Sequence, residues 1–250
     1  MFAMGDNSYT TEIVRDGKTL ILFTARLQDK HSINYVEDVV AEAFKKISPY
    51  LKEKQQVLYI RDVPDFCVDG EIPHVSCQTA TEALIAVPSW STKPRSLELL
   101  DMSIHQAMIM LARMQTVGYS QTFGDEIFNQ GIAAHYASLM TGYKLPYEGM
   151  MVTKRLMRGA LRRWDMRRFY NGWLAGGKRS KWRGHIVGCA LAMAVVPRRY
   201  DGSFDLELAV MAPGRMLADQ LWGMCHRGHR AIYAFHGHGR GHFWSPWFEF

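Results

Sequence analysis

The 250-residue sequence has few cysteines and no long uninterrupted apolar stretch. Its four cysteines (Cys67, Cys77, Cys189 and Cys225) never occur as C-x-x-C, which argues against both a disulfide framework and a cysteine-ligated zinc finger. No apolar run approaches the roughly 20 residues that a membrane-spanning helix needs. The first residues lack a basic region that leads into an apolar stretch, so we predict no secretion signal. We therefore expect reduced thiols, no membrane span and a soluble protein, with the cytoplasm as the default location.

Acidic residues are scarce in the last hundred residues, and the charge is divided between two parts of the chain. Residues 1–150 hold 13 Lys and Arg against 18 Asp and Glu, a net charge of −5, whereas residues 151–250 hold 17 against 6, a net charge of +11. Between Lys154 and Arg183, eleven basic residues face the single acid Asp165. Two interpretations remain open: a solvated helix face, or a surface that binds nucleic acid or an acidic partner. The second requires that the basic side chains share one exposed face.

The first 96 residues predict a sheet-rich lobe. Asp16-Gly17 lies between two runs of alternating polarity, which is a hairpin signal. Apolar residues then recur at helical spacing before Ser48-Pro49, so one helix is expected to cover a face of the sheet. The predicted elements of this lobe are strands at Thr11–Arg15, Thr19–Arg26, Gln56–Arg61 and Glu82–Val87 and a helix at Tyr35–Ile47.

Residues 97–221 predict a helical lobe. Thr122 stands three residues before Asp125, which is the pattern of a capping box at the start of a helix. This helix should pack against the preceding one across a loop near Gly118. The predicted helices are Leu97–Gln115, Phe123–Met140, Val152–Phe169, Gly184–Val195 and Leu206–Leu221. We expect an α+β fold in one domain over residues 1–221, a small N-terminal sheet with a helix packed on a helical bundle, followed by a tail, residues 222–250.

Three sequence blocks follow one another in an informative order. The first is a helix with a central His105, the second is Phe123–Tyr136 (F-G-D-E-I-F-N-Q-G-I-A-A-H-Y), and the third is Trp182–Gly188 (W-R-G-H-I-V-G). In order and spacing, over about Ile13 to Ala218, they resemble a gluzincin-like family of predicted zinc-dependent proteases, catalogued mainly as a domain of unknown function. That family carries H-E-x-x-H in the first block, S-E-G-L-A-x-H-F in the second and R-W-A-G-Y-x-I-G in the third. The resemblance implies a zincin-like helical bundle.

The family motif is degenerate here. In H-E-x-x-H, two histidines one turn apart bind one zinc ion, and the glutamate accepts a proton from zinc-bound water. The resemblance places a third ligand at the Glu of the second block. The residues at these positions are His105, Gln106 (at the general-base position), Ile109 and Gln130. Glutamine cannot accept a proton near neutral pH, and isoleucine has no donor atom. The resemblance therefore implies a peptidase-like fold that has lost its zinc ligands and its base.

The polar residues of the three blocks are predicted to stabilise the fold or, alternatively, to form a different zinc site. Gln106 and Gln130 are expected to hydrogen-bond each other across the former cleft. His135 matches the histidine of the second family block and is expected to be structural, while His185 stands where the third block has Tyr. The alternative is a rearranged zinc site with donors from Asp101, His105, Asp125 and His135.

The tail after Leu221 departs from the resemblance. It contains one thiol, five imidazoles, many glycines and eight aromatic residues. These donors are enough for a metal site, and the bases and aromatics equally fit a segment that packs on an apolar groove or binds nucleic acid. The metal candidates in the tail are Cys225, His226, His229, His236 and His238.

The leading hypothesis is a catalytically inactive zinc-metallopeptidase-like protein that needs no cofactor. It would bind a peptide or protein partner through the former active-site cleft. Two alternatives remain open. One is an active zinc hydrolase with a rearranged site at His105, Asp125 and His135. The other is a module that binds nucleic acid or an acidic partner through Lys154–Arg183.

Overall fold

The computed structural model describes residues 8–25, 30–63, 67, 72–88, 94–143, 152–167, 173, 183–195 and 205–211. These residues form a five-stranded sheet and six α-helices, which confirms the predicted α+β class. The elements are β1 (Ser8–Arg15), β2 (Lys18–Ala25), α1 (Lys30–Ile47), β3 (Gln55–Asp62), β4 (His74–Cys77), β5 (Glu82–Val87), α2 (Pro94–Thr116), α3 (Phe123–Thr141), α4 (Lys154–Leu161), α5 (Arg183–Val195) and α6 (Leu206–Met211). Within the described part of the chain, no helix combines the length and apolar character that a membrane crossing requires.

The sheet has the strand order β1-β2-β3-β5-β4. Strands β2, β3 and β5 run parallel, whereas β1 and β4 pair antiparallel with their neighbours. The predicted hairpin between β1 and β2 is confirmed: Asp16 and Gly17 have φ of 50° and 73°, the left-handed conformation that an Asp-Gly turn uses. Strand β4 was not predicted, because it is only four residues long and holds one strongly apolar side chain, Val75. It nevertheless forms an edge of the sheet.

One face of the sheet is buried against helices. Alternate residues of the three parallel strands point into a single apolar core that α1 and α2 also line. Burial of a Leu or Ile side chain contributes about 1.5–3 kcal/mol, so this face supplies much of the stability of the lobe. The fully buried strand residues are Leu20, Leu22, Leu58, Ile60, Ala83 and Ile85.

The two central helices are joined as predicted. Gly118, with φ of 88°, lies in the loop between α2 and α3. The capping box is confirmed: the Thr122 hydroxyl accepts a hydrogen bond from the Asp125 main-chain N–H (3.1 Å), and the Asp125 carboxylate accepts one from the Thr122 N–H (3.1 Å). Gly142, with φ of 77°, ends α3. Because both ends are satisfied locally, the position of α3 along the chain is well defined.

Helix α5, predicted at Gly184–Val195, crosses α3 at a contact between two glycines. A methyl group added to Gly131 would lie 2.0 Å from the carbonyl carbon of Gly188. The main chains are therefore in direct contact, and no larger residue fits at Gly131 without a shift of one helix.

The helix predicted at Val152–Phe169 is wrong in its second half, because α4 ends at Leu161 and a turn follows. The reason is a contact with α3. The carbonyls of Trp164 and Met166 accept hydrogen bonds from the N–H groups of Gly124 and Phe123 (2.9 and 2.8 Å), which begin α3 and have no partner within it. The helix predicted at Leu206–Leu221 is described to Met211, and its remainder lies outside the described residues, as does the tail 222–250.

Candidate functional site

Two glutamines meet where α2 and α3 face each other. The Gln106 amide nitrogen donates a hydrogen bond to the Gln130 side-chain oxygen (3.0 Å). Both side chains are buried, with 8% and 2% exposed. This contact confirms the predicted hydrogen bond between the two amides.

Gln130 also joins the helices to the sheet. Its amide nitrogen donates one hydrogen bond to the Val75 carbonyl on β4 (3.1 Å) and one to the Glu126 carboxylate (3.0 Å). We call Gln106, Gln130, Glu126 and the Val75 carbonyl the amide cluster. A carboxylate at position 130 would place a negative charge against two oxygen acceptors, so the cluster requires a donor at that position.

Two titratable residues of β4 lie within the electrostatic influence of Glu126. Burial lowers the pKa of His74, and the Glu126 carboxylate opposes that change. Burial raises the pKa of Cys77 far above its ordinary value, and Glu126 adds to the increase. Cys77 is therefore a protonated thiol and not a nucleophile at neutral pH.

His105 is directed away from the amide cluster. Its Nδ1 lies 3.1 Å from the Asp101 main-chain oxygen, to which it hydrogen-bonds, and 2.9 Å from the Asp101 carboxylate. The pKa of Tyr35 on α1 is raised by burial and, to a smaller extent, by the Asp101 charge. His105 and Asp101 therefore lie on the side of α2 that faces α1. The His105 Nε2 atom is buried and has no hydrogen-bond partner among the described residues. His105 and Gln106 are adjacent in sequence and so point about 100° apart around the helix.

The remaining predicted residues that the structure describes are not gathered around His105 as a metal site. Ile109 is fully buried, His135 is buried with its ring 6.0 Å from the Tyr136 ring, and His185 is buried near the start of α5. Asp125 serves the capping box. In the ranges that the structure describes, no three His, Cys, Asp or Glu side chains are grouped so that they could hold a metal ion. The trio of His105, Asp125 and His135 is therefore not assembled there, and the tail candidates lie outside the described residues.

The residues at the family's motif positions do not fit a catalytic zinc ion. Such a site takes three protein ligands plus water. The Gln130 oxygen accepts from Gln106 and its nitrogen donates elsewhere, Ile109 offers no donor atom, and the His105 Nδ1 is bonded to Asp101. One imidazole nitrogen remains, which is too few.

Sequence reasoning missed a second polar contact between α2 and α3. Arg113, with 1% exposed, donates from Nε and Nη2 to the Asn129 side-chain oxygen (3.0 and 2.7 Å) and from Nη1 to the Ala209 carbonyl on α6. Its guanidinium also lies over the Phe128 ring, 5.2 Å from the centroid. Burial lowers the pKa of Arg113 to about 10, so it stays charged at neutral pH. The sequence signal was a lone basic residue seven positions after Gln106, on the same side of α2.

No family model and no curated protein matches the chain. Among solved structures, an aminopeptidase N family protein from Idiomarina loihiensis is similar, with a TM-score of 0.44 and 11% sequence identity over 88% of this chain. The match covers 41% of that protein, so the chain spans less than half of its length.

Proposed function

We propose that this protein is a catalytically inactive, peptidase-like protein that binds an extended peptide segment of a partner at the edge strand β4. The amide cluster is the observation that carries the proposal. Where a working zinc peptidase of the resembled family would hold a base and a ligand, this chain holds two amides bonded to each other.

The loss of catalysis follows from the chemistry of the cluster. A neutral amide has no basic site near neutral pH, so Gln106 cannot take a proton from water. Gln130 already donates to Val75 and Glu126, and turning its oxygen outward would break both bonds. Restoring a ligand at this position would therefore cost two buried hydrogen bonds, about 1–3 kcal/mol for each group left without a partner.

Peptide binding is supported by the position of β4. It closes the strand order at one end of the sheet, so none of the described strands pairs with its outer side. Addition of a strand to such an edge is a common mode of peptide recognition. Gln130 occupies the Val75 carbonyl on the outer side, whereas no described residue makes a hydrogen bond to the outer side of the Cys77 main chain, two residues on. The cluster thereby fixes where a bound peptide begins to pair.

The inactivity is tested with untagged protein, stoichiometric added zinc and a mixture of decapeptides analysed by mass spectrometry. We expect no cleavage above the buffer control and no zinc retained after dialysis. His105→Ala and a chain ending at Leu221 are the matched variants. Cleavage or zinc retention that disappears in His105→Ala would contradict the proposal, whereas zinc lost only on truncation would assign a metal site to the tail.

Binding is tested by selecting peptides from a random decapeptide display library and mapping the complex by hydrogen exchange. We expect slower exchange at the Cys77 amide and unchanged exchange in β1, the other edge strand. Protection at β1 alone, or a library without binders, would refute the assignment of β4.

A further inference from the structure

Helix α4 and the residue that ends it carry three arginines along one exposed side. Arg155, Arg158 and Arg162 are all exposed, and we call them the arginine stripe. At about 100° per residue, their positions fall within an arc of roughly 60°. The opposite side of α4 is buried, through Met157, Ala160 and Leu161. Three of the eleven basic residues of Lys154–Arg183 therefore share one exposed face.

In the part of the chain that the structure describes, no acidic side chain pairs with the arginine stripe. None of its three side chains makes an ion pair or hydrogen bond there. Elsewhere on the surface, basic residues do find acids: Lys46 lies 3.2 Å from Glu42, and Arg95 lies 3.3 Å from Glu98. Unneutralised charges on one face create a positive potential that attracts anions.

The stripe is also held in a fixed position. The Thr153 hydroxyl caps the start of α4 by accepting from the Leu156 N–H (3.2 Å). After the helix, Arg163 folds back to donate to the Gly159 carbonyl (2.8 Å) and lies over the Trp173 ring, 5.8 Å from its centroid. The main chain that carries the stripe therefore loses little conformational entropy on binding, and only the three exposed side chains have to be ordered.

The chemistry of the stripe favours phosphate. A guanidinium presents a planar fork of donors that matches phosphate oxygens, and it is less strongly hydrated than an ammonium group. Successive members of the stripe are about 5 Å apart along the helix axis, a spacing of the same order as that of phosphates along a nucleic-acid strand. The neighbouring Trp164 is buried, so it offers no exposed ring for stacking on bases.

We propose that the arginine stripe binds nucleic acid through its phosphates, without reading base sequence. The site is separate from the amide cluster and does not depend on the peptide-binding proposal. It predicts binding dominated by counterion release, and therefore weakened by salt.

The test measures fluorescence anisotropy of the full chain with a short labelled DNA duplex, and with a single strand of the same length, over a series of salt concentrations. We expect both to bind. Arg155→Ala/Arg158→Ala/Arg162→Ala should weaken binding about ten-fold or more at low salt and reduce the salt slope by about 3, one for each lost phosphate contact. Arg155→Lys/Arg158→Lys/Arg162→Lys should retain an intermediate affinity, because charge remains without the fork.

The matched control is Lys45→Ala/Lys52→Ala/Lys54→Ala, which removes an equal number of positive charges, three, from another exposed surface. It should change the affinity by less than about two-fold, since phosphate contacts are local. An equal loss in this control would overturn the proposal by assigning binding to net charge, as would wild-type binding by the stripe variant. If a polyglutamate peptide or anionic phospholipid vesicles at equal charge concentration displaced the DNA, the proposal would be wrong. The stripe would then be assigned to an acidic protein or to a membrane surface.

Discussion

Helices α3 and α4 use polar residues in opposite ways. On α3, which is buried along most of its length, Asn129 and Gln130 bond to Arg113 and Gln106 of the neighbouring helix. On α4, one side is buried and the other carries the arginine stripe, which has no partner among the described residues. A polar group that is satisfied inside the protein holds the fold together, whereas one left in water remains available to a ligand. The same kind of substitution should therefore have different effects on the two helices.

The largest difference in stability is expected between a Gly→Ala substitution on α3 and one on α4. Gly131→Ala puts a methyl group 2.0 Å from a main-chain carbon, whereas at Gly159 the nearest atom is 3.5 Å away, in the Trp173 ring. We expect Gly131→Ala to lower the free energy of unfolding by about 3 kcal/mol or more. Gly159→Ala should raise it by up to about 1 kcal/mol, because alanine favours the helix. Urea unfolding followed by circular dichroism measures both, and equal effects would show that the crossing is not as tight as described.

A smaller but still large effect is expected in the amide cluster. Gln130→Glu replaces a donor with a charge that faces Glu126 and the Val75 carbonyl, so the free energy of unfolding should fall by about 2–3 kcal/mol at neutral pH. The loss should shrink on acidification, because protonation of the new carboxyl removes its charge and supplies a donor. Gln55→Glu makes the same change at an exposed position and should cost less than about 0.5 kcal/mol. A tolerated Gln130→Glu would refute the need for a donor.

A weaker, pH-dependent effect is expected from His74. Its pKa is lower in the folded protein than the ordinary value of about 6.5, so below that pH the unfolded chain binds a proton that the folded chain does not. Stability should therefore be complete above about pH 6.5 and fall as the pH drops toward the folded pKa. His74→Gln should flatten this part of the stability profile in urea unfolding at several pH values. An unchanged profile would assign the acid sensitivity to other groups.

The smallest effect on stability is expected from the arginine stripe. Because its side chains are exposed and make no bonds to the described residues, Arg155→Ala/Arg158→Ala/Arg162→Ala should change the free energy of unfolding by less than about 0.5 kcal/mol. Thermal unfolding at two salt concentrations checks this directly. A loss above about 1 kcal/mol would mean that the arginines stabilise the fold and are not reserved for a ligand.

The features that could be predicted from the sequence depend on neighbouring residues or on a known motif. The Asp16-Gly17 hairpin and the Thr122–Asp125 capping box depend on a few adjacent residues, so their chemistry is visible in the chain itself. The contact between Gln106 and Gln130 followed from the spacing of the family motif. In each case the sequence contains both partners of the interaction within a recognisable pattern.

The features that could not be predicted depend on distant partners. Arg113 bonds to a carbonyl 96 residues further along the chain, and no local pattern announces such a contact. The end of α4 is set by hydrogen bonds to the first N–H groups of α3, which override the helical periodicity of the sequence after Leu161. Strand β4 is held by β5 and Gln130 although its own sequence has little strand character.

The glycine contact between α3 and α5 bears on how this chain tolerates change over evolution. It joins main chain to main chain at Gly131 and Gly188, so its geometry owes nothing to the identity of the side chains around it. Side chains one position away, such as Gln130, therefore do not set how closely the main chains of the two helices approach. The separation of α3 and α5 and the hydrogen bonds of the amide cluster are thus specified by different residues, so that one can change while the other is kept.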